Sequence, residues 1–151
     1  MSLTFRDARI DDLPAIIAML ADDDLGKSRE QVGDEIAPCY LTAFEDMQRG
    51  PYNRIIVAER DGKIVGCLQL TVISGLSRQG ARRALVEGVR VASAARGRGI
   101  GEKLMQYAIA EARAADCKLL QLTSDKRRTR AHEFYERLGF AQSHLGFKLE
   151  L

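Results

Sequence analysis

At 151 residues, with 46% hydrophobic and 29% charged residues, the chain is sized for one soluble globular domain that needs neither metal nor disulfide to hold a core. A net charge of +2 is too small to indicate nucleic-acid binding, and the apolar runs break within a few residues, so neither a membrane span nor a signal peptide is expected. Cys39, Cys67 and Cys117 lack metal-type spacing and sit among apolar neighbours, which points to buried, reduced thiols and a cytoplasmic setting.

Leu3–Ile10 alternates in polarity as a first strand, and Asp11 can cap a helix over Leu13–Ala21, with Pro14 in its first turn. The acidic loop Asp22-Asp23-Asp24 follows. Ser28–Gln48 reads as a second helix that Gly33 and Pro38 must loosen or break. Arg54–Arg60, the turn Asp61-Gly62 and Lys63–Ile73 form a hairpin, and the polar loop Ser74–Gly80 leads to a strand over Ala84–Val91. Next come a glycine turn, a helix with Ile100, Leu104, Ala108, Ala112 and Ala115 on one stripe, a strand over Lys118–Ser124 and a helix over Arg128–Leu138. Phe140–His144 and Phe147–Leu151 are expected as closing strands.

The turn Arg96-Gly97-Arg98-Gly99-Ile100-Gly101 carries the most information. Glycine lets the backbone turn sharply and bring its N–H groups against a ligand, while a helix N-terminus favours negative charge, so strand, glycine turn and helix together make an anion site. Gly101 is followed by Glu102-Lys103-Leu104, which supplies no hydroxyl for a P-loop, and a dinucleotide fingerprint starting at Gly97 would need glycine where Glu102 stands. What remains, Arg96-x-x-Gly99-x-Gly101, resembles the Gln/Arg-x-x-Gly-x-Gly/Ala pattern by which GNAT-superfamily N-acetyltransferases hold the pyrophosphate of acetyl-CoA. Downstream, Ala131–Phe140 resembles the Ala-x-x-Phe-Tyr-x-x-x-Gly-Phe signature of the same superfamily. The two motifs stand in the right order and cover roughly Leu85–Leu151, and the preceding elements agree less specifically.

The resemblance implies a single α/β (mixed α+β) domain over 1–151. Its sheet would be mixed, mostly antiparallel and splayed in the middle, with about four flanking helices. It also implies an acetyl-CoA-dependent N-acetyltransferase in which a primary amine attacks the thioester directly within a ternary complex. An alkyl amine with a pKa of about 10.4 is almost wholly protonated at neutral pH, so a base is needed. Glu87, in an otherwise apolar strand, is the candidate base, although it could equally face solvent or pair with Arg83 or Arg90. Tyr135 stands where the signature carries the tyrosine that protonates the coenzyme A sulfur; a core aromatic is the plainer reading. Backbone at Val89, Arg90 and Val91 is expected to meet the pantetheine arm and the oxyanion. Arg96, Gly97, Arg98, Gly99, Ile100, Gly101 and Glu102 are expected at the pyrophosphate.

Where family members often carry a cofactor-contacting asparagine this chain has Arg128, which leaves Ser124 or Thr129 as substitutes. Lys126, Arg127, Arg128 and Arg130 could meet the 3′-phosphate or form a solvated face. His132 and His144 are too few for a metal site. The acceptor is a small-molecule amine or a protein amine; Arg82 and Arg83 suit an anionic amine, the acidic loop a cationic one. Alternatives are transfer of a longer acyl group, or a sensor that binds acyl-CoA without turnover. Phe147–Leu151 is an edge through which a homodimer could pair.

Overall fold

The computed structural model describes residues 2–151 as two compact units, one extending through Gln121 and the other Leu122–Leu151. In the first unit, β1 (Leu3–Asp7), β2 (Asn53–Arg60), β3 (Lys63–Ile73) and β4 (Arg82–Val91) pair antiparallel in that order. A helical crossover then leads to β5 (Cys117–Leu122), which takes its place beside β4 and makes the five-stranded sheet mixed. The β2–β3 hairpin forms as expected, since Asp61 (φ 53°) and Gly62 (φ 74°) supply the two left-handed residues that a tight two-residue turn requires.

Each face of the sheet has its own cover. α1 (Leu13–Ala21) and α2 (Pro38–Gln48) bury Leu13, Ile16, Ile17, Met19 and Phe44 with Val57 and Cys67 of the sheet. α3 (Ile100–Ala114) covers the opposite face with Ile100, Leu104, Met105, Ala108 and Ala112, all buried. Full burial of one such aliphatic side chain stabilises by about 1.5–3 kcal/mol, so these stripes hold the helices in place. Arg6 bridges Asp12 (2.7 Å) and Glu59 (2.6 Å), fastening the start of α1 to the sheet. Arg82 donates to the carbonyl of Ala115 (3.1 Å), just past the end of α3, and lies over the Tyr52 ring.

Several sequence expectations need correction. Asp12, not Asp11, is the N-cap of α1, and its carboxylate accepts from the Arg9 N–H (2.7 Å) in the preceding 3-10 turn. The second helix starts at Pro38 and not at Ser28. Proline has no N–H to donate and pushes its predecessor out of helical geometry, and Ala37 is indeed extended (ψ 141°). Within the β3–β4 loop, Arg78, Gln79 and Gly80 form a left-handed turn. Cys67 is buried and Cys117 half-buried, but Cys39 is exposed on α2, so burial does not extend to all three thiols. Burial pushes the Cys67 thiol up to about 12.

The second unit holds α4 (Thr129–Arg137) and the C-terminal tail. α4 ends in a Schellman arrangement: Phe140 N–H donates to Tyr135 O (3.1 Å), Gly139 N–H to Glu136 O (3.0 Å), and Gly139 takes φ 98°. The Tyr135 and Phe140 rings meet edge to face at 5.9 Å, the apolar contact that accompanies this stop. No strand forms over Phe140–His144 or Phe147–Leu151. Residues 141–151 are all exposed, and alternating apolar residues make a strand only where a neighbouring strand accepts their backbone groups.

Candidate active site

The strand β4 and the turn after it carry most of the expected site. Gly97 (φ 77°) and Gly99 (φ 72°) are left-handed, and a Cβ at either would point into open space with nothing within 4 Å. Gly99 is the N-cap of α3 with no side chain bonded over the helix end, so the first-turn N–H groups of a 15-residue helix are presented outward. Alternate left-handed glycines ahead of a helix N-terminus form a concave set of donors suited to a pyrophosphate. These residues therefore fit the phosphorylated part of acetyl-CoA. Gly101 already lies inside the helix.

Arg96 and Arg90 reach back over the end of β4. Arg96 Nε donates to Val91 O (3.1 Å), and its guanidinium pairs with Asp22 (3.4 Å). Arg90 donates to Val89 O (2.9 Å) and pairs with Asp23 (3.4 Å). The carbonyls of Val89 and Val91 thus accept from arginine side chains. Asp23 also accepts from the Gly26 N–H. Asp22 and Asp23 of the acidic loop are accordingly tied by ion pairs to Arg96 of the glycine turn and Arg90 of β4.

One feature of β4 escaped the sequence reading. Gln69 faces Glu87 and Cys67 faces Arg90, so Gly88 and Val89 together oppose Leu68 in a β-bulge, with Gly88 at φ 60°. Its signal was an isolated glycine inside a strand pattern. The bulge follows directly on Glu87, which is exposed. Residues opposite one another share a face, so Glu87 lies beside Gln69, and the next row holds Asn53, Thr71 and Leu85. Gln69 Nε2 donates to Asn53 Oδ1 (2.8 Å), which also accepts from Thr71 Oγ1 (3.4 Å). This is the face of Cys67, which α1 covers as far as Leu20, the residue that a Cβ on Gly88 would touch at 3.6 Å. Arg83 is on the same face, opposite Ile73, and its buried Nε has no hydrogen-bond partner. Arg82 points to the other face and caps α3, so the two neighbouring arginines are not equivalent.

In the second unit Tyr135 is half-buried between Phe134 (centroids 5.2 Å apart) and Phe140. Ser124 is half-buried, and Arg128 precedes α4 as its N-cap. Asp125 accepts from the backbone and guanidinium of Arg127 (2.9 Å each), which hold its carboxyl well below the usual range, so Arg127 is already occupied locally. His132 Nε2 lies 2.8 Å from the Asp125 carbonyl oxygen. Among the described residues no group of His, Cys, Asp and Glu could hold a metal ion, and no helix is long and apolar enough to cross a membrane.

Residues 17–140 match the model of the Acetyltransferase (GNAT) family. The chain belongs to the GNAT family of acetyltransferases, enzymes that take their acetyl group from acetyl-CoA. Among solved structures it resembles a protein from Bacillus halodurans C-125 described as a transcriptional regulator, at 45% identity and TM-score 0.96 over 99% of this chain and 100% of that one. It also resembles a putative acetyltransferase from Agrobacterium tumefaciens str. C58, at 28% identity and TM-score 0.86 over 98% and 99% of the two chains. An aminoalkylphosphonate N-acetyltransferase of Salmonella typhimurium is 36% identical over 91 residues, 60% of this chain and 58% of that protein. The chain thus spans less than two thirds of the length of that curated relative.

Proposed function

We propose that the whole chain, 1–151, acts in the cytoplasm as an N-acetyltransferase that moves the acetyl group of acetyl-CoA to a small primary amine by direct attack in a ternary complex. The observation that carries this reading is the pair of left-handed glycines at the open N-terminus of α3, immediately after β4. Bound acetyl-CoA would supply an activated thioester. In this reading the N–H groups from Gly97 to Glu102 hold its pyrophosphate, while the backbone of Val89, Arg90 and Val91 orients the pantetheine arm and the oxyanion. Arg96 exchanges Asp22 for phosphate, and Ser124 and Arg128 add polar contacts. Glu87 takes the proton of the ammonium, and Tyr135 donates to the departing sulfur.

For the acceptor we favour an amine that carries an anionic group. Arg83 sits on the face of Glu87, four residues along β4 and hence roughly 13 Å away, with a guanidinium nitrogen in want of an acceptor. Side chains leaning in from both ends leave a gap for an acceptor of a few carbons, and the Salmonella relative is named for aminoalkylphosphonates. A panel of aminoalkylphosphonates, ω-amino acids, polyamines and a lysine peptide, followed by thiol release from acetyl-CoA, tests this. Activity confined to anionic amines is the expected result, and thiol release with none of them refutes the enzymatic reading. Binding without turnover is the second reading, favoured by the description of the Bacillus halodurans protein as a transcriptional regulator; acetyl-CoA affinity with no turnover would select it.

We further propose a homodimer through the tail. Phe147, Leu149 and Leu151 are 86–116% exposed. An antiparallel pair of tails centred on Leu149 sets Phe147 against Leu151 and Lys148 against Glu150 of the second copy, so one segment complements itself in both apolar and charged positions. Sedimentation of the wild type and of Leu149→Asp should give dimer and monomer respectively.

A further inference from the structure

We infer that Gln69, held in place by Asn53, is the residue that binds and orients the acceptor nitrogen opposite Glu87. This rests on the transferase reading above. Three strands contribute. Gln69 on β3 lies between β2 and β4, with Glu87 directly opposite it on β4 and Asn53 in the adjoining row on β2. The Gln69 amide nitrogen is drawn toward Asn53 Oδ1 at 2.8 Å, and Asn53 Oδ1 is itself steadied by Thr71 Oγ1 at 3.4 Å. A planar amide whose nitrogen is turned toward β2 turns its carbonyl oxygen toward β4. Directly opposite residues have Cβ atoms about 5 Å apart, so the Gln69 carbonyl and the Glu87 carboxylate converge on one small volume. Both are acceptors when Glu87 is ionised. Two acceptors facing a common point, with Leu20 closing one side at Gly88, call for a group rich in N–H donors.

An ammonium ion meets that demand. One N–H faces Glu87 and is surrendered to it; a second is held by Gln69 Oε1 before and after that transfer. With one hydrogen fixed by Gln69, rotation about the C–N bond is restricted and the new lone pair keeps a constant direction. Without Gln69, the neutral amine would turn freely as soon as its bond to Glu87 changed character. The network toward Asn53 and Thr71 has the complementary task of preventing the Gln69 amide from flipping its nitrogen into the site.

The test uses the full chain and the amine with the highest turnover in the panel above. Gln69→Leu retains most of the side-chain bulk but no acceptor, and should raise KM for the amine about 10- to 100-fold, the loss expected for a hydrogen bond to a charged group, while KM for acetyl-CoA stays within about twofold. Asn53→Leu should have a smaller effect that disappears in the Asn53→Leu/Gln69→Leu double variant, because Asn53 acts only through Gln69. Gln69→Glu keeps an acceptor but sets a like charge opposite Glu87, so the acid limb of the pH–rate profile should move upward, a response that a purely structural residue would not produce. Wild-type turnover with unchanged amine KM in Gln69→Leu overturns the role of Gln69, and additive losses in the double variant overturn its support by Asn53, in both cases with the transferase reading intact. Absence of turnover by the wild type on every amine overturns the transferase reading and this inference together.

Discussion

Gly99 offers a clean separation of backbone strain from ligand contact, because Gly62 is its structural twin. Both are left-handed, at φ 72° and 74°, and a Cβ on either would meet nothing within 4 Å. Alanine at either position therefore costs only the left-handed strain of an L-residue, roughly 1–2 kcal/mol, with no clash to add. In a chain of this size that corresponds to a fall in Tm of about 2–8 °C for each variant. The functional consequences should diverge. At Gly99 the added methyl group enters the space through which pyrophosphate approaches the N–H groups of α3, and loss of one charge-assisted hydrogen bond is worth about 1.5–3 kcal/mol, or roughly 10- to 150-fold in Kd. Isothermal titration of acetyl-CoA into Gly99→Ala and Gly62→Ala, with thermal melts of both, gives all four numbers. Equal affinity in the two variants, whether both unchanged or both reduced, would refute the assignment of the glycine turn as the cofactor anchor.

Tyr135→Phe preserves the ring contacts with Phe134 and Phe140, so kcat should fall by roughly 10²–10⁴-fold with little change in Tm or acetyl-CoA affinity; steady-state kinetics with unaltered kcat would return the residue to a packing role. Glu87→Gln should move the rise of kcat/KM for the acceptor toward the pKa of the free amine, since only amine already neutral in solution would react, and initial rates from about pH 6 to 10 measure this. Asp12 has its carboxyl held below the usual range, chiefly by its hydrogen bond to Arg6. A depressed folded-state pKa gives stability that is fully present above the unfolded value of about 3.9 and lost as pH falls through the folded value. Urea titrations of wild type and Asp12→Asn should therefore differ at pH 6 and converge toward pH 2.

Local rules in the chain carried the reading furthest where the cause of a structure is itself local. The hairpin at Asp61-Gly62, the stop of α4 at Gly139 and the buried stripe of α3 each depend on residues within one turn of one another, and each stands where expected save that the stripe ends at Ala112, with Ala115 as the half-buried C-cap. The second helix is shorter than the apolar spacing over Ser28–Gln48 predicts, because Pro38 starts a helix more readily than it sits inside one. The closing strands failed for a different reason: alternation specifies which residues share a face but cannot supply the neighbouring strand. In the site, the glycine turn was legible as a motif, whereas the ion pairs Asp22–Arg96 and Asp23–Arg90 join residues more than 60 positions apart and leave no mark in either segment.

Gly88 shows how one residue can organise both halves of such a site. In an unbroken strand, Glu87 and Arg90 are three residues apart and must point to opposite faces. The extra residue in β4 changes that parity, and Glu87 and Arg90 lie on the same face, across from Gln69 and Cys67. Arg90 thereby reaches Asp23 in the loop after α1. The same change of parity directs Val91 toward the face of α3, whose N-terminus carries the glycine turn. A regular strand could not place Glu87 and Arg90 on one face while leading its backbone directly into the glycine turn. The bulge accounts for a glycine in the middle of a buried sheet, and for a candidate base placed one residue before the strand changes sides.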